Sequence, residues 1–408
     1  MQKQLLMALS RPRLGLSVAL GATILLAATL AMEHLDRPRA ADPGAAAAPT
    51  VSVVAGMGSR AWFVSPDVGW ALVQVPTAGL PRMELHRTID AGATWQRQLT
   101  WDGGGVPRVA RFFDARHAFV VVRASGSVLR IFTTVDGIRW RGGASPSPAA
   151  SISFAGADLG WAAYRQGTSI TVDQTADGGR SWRHLTSFSA PAQLELPQWV
   201  EFVDADDGLM GGLAEGRLAS LYATHDGGAT WAPTRLPDPP ERIGAGASSV
   251  LSGAQALPGG AVMVDLSIYP REGYRYARSY LYLSTDGGRS WSQPRALPGP
   301  QWEAVDRRSV IATSGQALFT SSDGGGTWRR RQATLPASRP RDGDVFNAFQ
   351  FAAPAFLDGH VGWATLVTTQ RCVGAPHPQS CAEHPQIGWA VVRSSDGGAT
   401  WSEVSTDA

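Results

Sequence analysis

The apolar positions of this chain fall into two regimes. Leu14 to Met32 is one uncharged apolar run of 19 residues, preceded by Lys3, Arg11 and Arg13. From about residue 55 onward, apolar residues come instead in short stretches separated by Gly, Pro, Asp, Ser and Thr. Stretches of that length between turn residues predict β-strands joined by tight turns. At helical rise the first run spans roughly 28 Å, close to a bilayer core, and so predicts a transmembrane helix.

One polar phrase recurs between the strands: Ser/Thr-x-Asp-x-Gly-x-Ser/Thr-Trp. It runs from Thr88 to Trp95, Thr175 to Trp182, Thr224 to Trp231, Ser284 to Trp291, Ser321 to Trp328 and Ser394 to Trp401. A copy one residue shorter runs from Thr134 to Trp140. The aspartates are Asp90, Asp136, Asp177, Asp226, Asp286, Asp323 and Asp396, spaced 37 to 73 residues apart. That spacing suits a repeating unit of four strands. Each position has a physical role. The carboxylate accepts bonds from turn N–H groups, Gly supplies positive φ, and the hydroxyl two residues earlier closes the loop. The Trp then anchors the turn by burying a ring worth about 3 kcal/mol.

A second phrase stands earlier in the units, a strand, an acidic turn and a Gly-Trp-Ala strand. It reads Phe63 to Ala71, Phe154 to Ala162 and Phe356 to Ala364, with weaker forms from Phe113 and Val203. Each unit is therefore strand a, tight turn, strand b, variable loop, strand c, Asp turn, strand d. Seven such units predict an all-β chain, a seven-bladed β-propeller of four-stranded antiparallel blades over residues 55–408. Radial closure hides most strand edges.

On these motifs the chain resembles the BNR, or Asp-box, propellers. That family includes sialidases, sortilin-type receptors and the photosystem II assembly/stability factors. The Gly-Trp-Ala strands together with Asp-Gly-Gly-x-Thr-Trp look most like the assembly-factor type. The resemblance implies a structural role for the seven Asp, on the periphery and away from any active site.

Composition changes the picture little. The net charge of +2 is too small to imply wholesale nucleic-acid binding, so no nucleic-acid partner and no cofactor are expected. Residues 1–13 are a short basic segment, 14–32 the helix and 33–54 a linker. An uncleaved signal anchor fits the length of the apolar run, and a cleaved signal peptide is the alternative. Either reading puts the propeller outside the cytoplasm, tethered to a membrane or secreted. There the only two cysteines, Cys372 and Cys381, favour a disulfide. Zinc held with His377 and His384, or free thiols, are the other readings.

In a four-stranded up-and-down blade the Asp turns share one face, and the b–c and inter-blade loops share the other. Long insertions fall on the loop face, where binding sites favour a rigid scaffold. Tyr269, Arg271, Tyr274, Arg275, Tyr276 and Arg278 form one such insertion, flanked by Tyr280 and Tyr282. With Arg329 and Arg331 they suggest a positive, aromatic patch for a protein partner or an anionic polymer. A solvated hairpin is the bland reading. The expected function is a non-catalytic, monomeric binding or assembly scaffold. A sialidase-like glycoside hydrolase is the alternative, with a carbohydrate-binding propeller as a third reading. Hydrolysis needs paired carboxyls. Asp265, Glu272, Asp342 and Asp344 are loop-face acids that sequence cannot pair, and no Phe/Tyr-Arg-Ile-Pro phrase occurs.

Overall fold

The computed structural model describes residues 61–75, 82–102, 108–123, 129–148, 150–189, 194–215, 217–241, 247–269, 278–314, 317–334, 345–358, 360–372 and 387–404. The expected helix at 14–32 and the linker at 33–54 lie outside them. Among the described residues no helix is long and apolar enough to cross a membrane. All named elements there are β-strands, and they come in consecutive groups of four. The groups span residues 61–102, 109–144, 151–189, 194–234, 248–296, 301–331 and 345–403. Within each group, successive strands pair antiparallel in chain order. The fourth and fifth groups are joined, because Leu213, Ala214 and Glu215 also pair with Val250, Ser249 and Ser248. This succession of four-stranded antiparallel sheets fits a β-propeller.

Glycine, phenylalanine and tryptophan set how one sheet meets the next. Phe63, Phe154, Phe202 and Phe356 end the first strands of their groups and pair in register with Gly69, Gly160, Gly208 and Gly362. The Phe ring lies flat over that glycine. A Cβ on Gly160 would stand 2.5 Å from the Phe154 ring, so no other residue fits. On the outer side, the Phe63 and Phe202 rings receive the strand-b Trp of the preceding group, and Phe154 receives Phe119. Trp161 stacks on Phe202 with ring centroids 3.5 Å apart, and Trp70 stacks on Phe112 at 4.6 Å. Trp363, in the last group, stacks at 4.1 Å on Phe63 in the first. Successive sheets therefore pack face to face, and apolar clusters fill each junction. Leu72 and Leu85 meet Val120 and Phe132 at one, and Trp363 and Val391 return to Phe63 and Trp95 at another.

The first strands form the inner wall: those of the third to seventh groups neighbour one another in turn, and the seventh's lies beside the first's. Two of them, Leu194–Phe202 and Gln301–Ala304, have backbone groups capped by side chains of the preceding group. Ser151 Oγ accepts from Val200 N at 2.9 Å, and Ser153 Oγ accepts from Phe202 N at 3.0 Å. The Gln255 amide bonds both Ala304 N and Ala304 O, at 2.8 and 2.6 Å. Backbone groups otherwise left open at an edge are thereby satisfied.

The Asp turns repeat one hydrogen-bond pattern. At Asp90, the carboxylate accepts from Thr88 Oγ1 at 2.7 Å, Thr94 N at 2.8 Å and Thr94 Oγ1 at 2.6 Å. Gly92 N donates to Thr88 Oγ1 at 2.9 Å. The second glycine of the turn has φ of +85° at Gly179 and +91° at Gly228, a backbone that disfavours any side chain. The short copy at Asp136 keeps the carboxylate cap, with Ile138 N and Arg139 N donating at 2.8 and 2.7 Å.

These caps predict acid sensitivity. A bond from the Ser290 hydroxyl holds Asp286 down at about 2, Thr327 N–H does so for Asp323, and the Thr400 hydroxyl for Asp396. A carboxyl depressed in the folded state binds fewer protons there than when unfolded, so its contribution is complete above the ordinary value near 4. It is lost as pH falls through about 2. Thermal midpoints should therefore drop steadily between about pH 4 and pH 2. Asp286→Asn should flatten that drop, and an unchanged profile in this variant would disconnect the turns from acid stability.

Candidate functional site

Two guanidinium groups stand together on the loop face, at the mouth of the inner wall. Arg108 directly precedes the strand Val109–Phe112, and Arg123 ends the next strand, Ala118–Arg123. Antiparallel pairing of these strands, with Val109 opposite Val121, brings the two positions to the same sheet end. That end is opposite the Asp136 turn. Arg108 and Arg123 line a cleft of about 400 Å³ with Pro148, Ser151, Pro197 and Gln198. The walls thus come from the second, third and fourth groups of strands. Both arginines are exposed, and among the described residues neither is hydrogen-bonded or ion-paired through its side chain. No acid stands among these lining residues.

Deeper along the same strands lies an ion pair. Arg111 is three residues beyond Arg108, and Glu201 three beyond Gln198, both toward the Asp-turn face. Arg111 donates to Glu201 Oε1, joining the second group to the fourth. Its other nitrogen reaches Ala256 O in the fifth at 3.5 Å, and Ser153 Oγ stands 3.5 Å from Glu201 Oε2. Burial pushes the Glu201 carboxyl above its ordinary range, with Arg111 pulling in the opposite direction. The pair links strands on different sides of the inner wall below the cleft.

The residues singled out in the sequence within and beside the fifth group of strands divide. Tyr269 ends the strand Ala261–Tyr269 and is half-buried, and Arg278 opens the strand Arg278–Ser284. Arg278 is paired with Glu241, so its charge is already met. Tyr280 and Tyr282 do not join an exposed aromatic patch: both are buried, with hydroxyls donated to Glu241 and to Pro237 O. They pin the segment before Ser248 onto the strand beside it. Arg271, Tyr274, Arg275 and Tyr276 lie outside the described residues. Arg329 and Arg331 sit on the outermost strand of the sixth group, with Arg331 Nε donating to Thr320 Oγ1 at 3.2 Å. No contact among the described residues joins them to Arg278.

Asp265 is not a loop acid. It lies inside the strand Ala261–Tyr269, opposite Gly253 beside a β-bulge, and burial raises it to about 6 despite bonds from Trp302 and Ser252. Glu272, Asp342 and Asp344 lie outside the described residues, as does the Cys372–Cys381 pairing. Among the described residues no cluster of His, Cys, Asp and Glu could hold a metal. Sequence reading missed Arg108, Arg111, Arg123 and Glu201. A signal existed for two of them: Arg111 and Glu201 each immediately precede the Phe of an inner strand, a place otherwise taken by small or apolar side chains in most groups.

No family model and no curated protein matches the chain. Several solved structures are similar to it. YCF48 bound to D1 peptide is 16% identical, with 82% of this chain and 98% of that one covered at a TM-score of 0.33. An ulvan lyase, a polysaccharide lyase with bound oligosaccharide, is 11% identical over 83% and 91% at a TM-score of 0.48. A prolyl endopeptidase structure is 10% identical over 85% of this chain and 49% of its own, at a TM-score of 0.50. At such identities the likeness is one of fold alone.

Proposed function

We propose that the chain is a seven-bladed Asp-box propeller that works outside the cytoplasm as a non-catalytic binding or assembly scaffold. Residues 14–32 tether it to the membrane, or release it if they are cleaved. The partner presents an acidic segment to the cleft at the loop-face mouth. The observation that carries this reading is the pair of guanidiniums Arg108 and Arg123, unpartnered among the described residues, in a cleft whose described lining holds no acid. Guanidinium forks match carboxylates bidentately, and charge-assisted bonds are the strong ones. The blade-five insertion and the Arg329–Arg331 strand are the outer contacts proposed for the same partner.

The test uses a fluorescent polyglutamate peptide and heparin, each titrated into the full chain in detergent. Wild-type binding to one of them should weaken with salt. Arg108→Glu combined with Arg123→Glu should weaken it on the order of 100-fold, since each charge-assisted bond contributes about 1.5–3 kcal/mol. Arg329→Glu should cost less than tenfold by the same scale. Equal binding by wild type and the double variant would remove the cleft from the proposal. A panel of fluorogenic glycosides should stay intact, and turnover would return the chain to the hydrolases.

A further inference from the structure

Among the described residues, junctions between consecutive groups of strands are stitched by hydrogen bonds, with one exception. At the first junction Gln98 is the stitch. Its Oε1 accepts from Trp70 Nε1 of its own sheet and from Trp140 Nε1 of the next, both at 3.0 Å. Its Nε2 donates to Gly137 O in the next Asp turn at 2.9 Å. Trp182 Nε1 bonds Ala144 O at the second junction, and Trp161 Nε1 bonds Gly227 O at the third. Trp199 Nε1 bonds Leu251 O at the fourth, Trp328 Nε1 bonds Ala296 O at the fifth, and Thr334 N bonds Ala399 O at the sixth.

Between the last group and the first, no hydrogen bond joins described residues. The contact is apolar: Phe63, Val73 and Trp95 against Trp363, Val391 and Val404. No strand is shared, because each of the two sheets consists of four consecutive strands of its own. Trp363 is the counterpart of Trp70, on strand b, and Trp95 is the counterpart of Trp140, in the facing Asp turn. Both indole nitrogens are buried without a hydrogen-bond partner. The residue three beyond the turn Trp, where Gln98 stands after Trp95, is Val404 after Trp401. The stitch is missing one side chain, and its two donors are still in place.

We propose that this junction is the seam at which the ring opens, and that position 404 sets how firmly it is shut. Opening there separates the first and last sheets. The second to fifth sheets remain linked by the Arg111–Glu201 pair and by the shared pairing of Leu213–Glu215, so the cleft walls keep their geometry. Seam opening is then a sideways route to a preformed cleft.

Hydrogen–deuterium exchange of the full chain, read by mass spectrometry, tests this. In the wild type, amides of Ala61–Val75 should exchange about tenfold faster than those of the equivalent strands 151–166, because exchange reports the local opening equilibrium. Val404→Gln should slow the 61–75 amides by about tenfold, as expected for two or three new buried hydrogen bonds. Gln98→Val should create a second seam, speeding exchange at 69–75 and 109–121 and leaving 151–166 unchanged. Faster wild-type opening at another junction, or seam exchange that Val404→Gln leaves unaltered, overturns the proposal. Should Gln98→Val fail to fold, the wild-type ranking and Val404→Gln still decide.

Discussion

Arg111→Ala should unfold at a markedly lower urea midpoint, a loss of about 3 kcal/mol or more. The reason is the charge left behind. Removing one partner of a poorly solvated ion pair strands the other, and such deletions cost about 3–5 kcal/mol. Glu201, its side chain 16% exposed, is then a largely buried carboxyl without its cation, and it will hold its proton more tightly than in the unfolded chain. A group whose folded value is raised contributes most below its unfolded value and loses that contribution as pH rises. The defect in Arg111→Ala should therefore be larger at pH 7 than at about pH 4.5. Replacing both residues, as Arg111→Met with Glu201→Leu, should recover much of the loss, because no unpaired charge remains. A double variant as unstable as the single one would show that the pair matters for packing and not for charge.

Trp161→Ala comes next in size. The ring is fully buried, stacks on Phe202 at 3.5 Å and donates Nε1 to Gly227 O at 2.8 Å. Truncations of buried aromatic residues cost about 3–5 kcal/mol, and here one change removes a ring stack and a hydrogen bond between two sheets. Gly208→Ala probes the same ladder from the other side, since the added methyl would stand 2.8 Å from the Phe202 ring. Overpacking of that kind costs about 1–3 kcal/mol. Equilibrium denaturation followed by tryptophan fluorescence measures both. Losses below about 1 kcal/mol in both variants would mean that the Gly–Phe–Trp ladder is not what joins the sheets.

The turns and strands were legible because their chemistry is local. Asp, Gly and a hydroxyl within five residues close each turn with no help from distant parts of the chain. The Phe and Gly-Trp-Ala phrases were legible as strands, but their mutual fit was not, since Phe63 and Phe202 sit on their own sheets' glycines and under a Trp from the preceding sheet. The cleft was illegible for the same reason. Arg108, Arg123 and Gln198 are separated by 15 to 90 residues, and nothing in the sequence says they share a mouth. Tyr280 and Tyr282 misled because a tyrosine count cannot show where a hydroxyl goes. Both rings alternate with Leu281 along one strand and are drawn into the core, where Glu241 and Pro237 O receive their polar ends.

Ser151, Ser153 and Gln255 carry a consequence for recognition. Many receptors capture an extended peptide by letting it continue a sheet, lending affinity through main-chain pairing that is indifferent to side chains. Along these stretches that offer is withdrawn, because hydroxyl and amide groups already occupy the positions an incoming ladder would need. A guest must be selected by its functional groups, through shape and charge, and promiscuous aggregation through these two strand edges is discouraged by the same three residues.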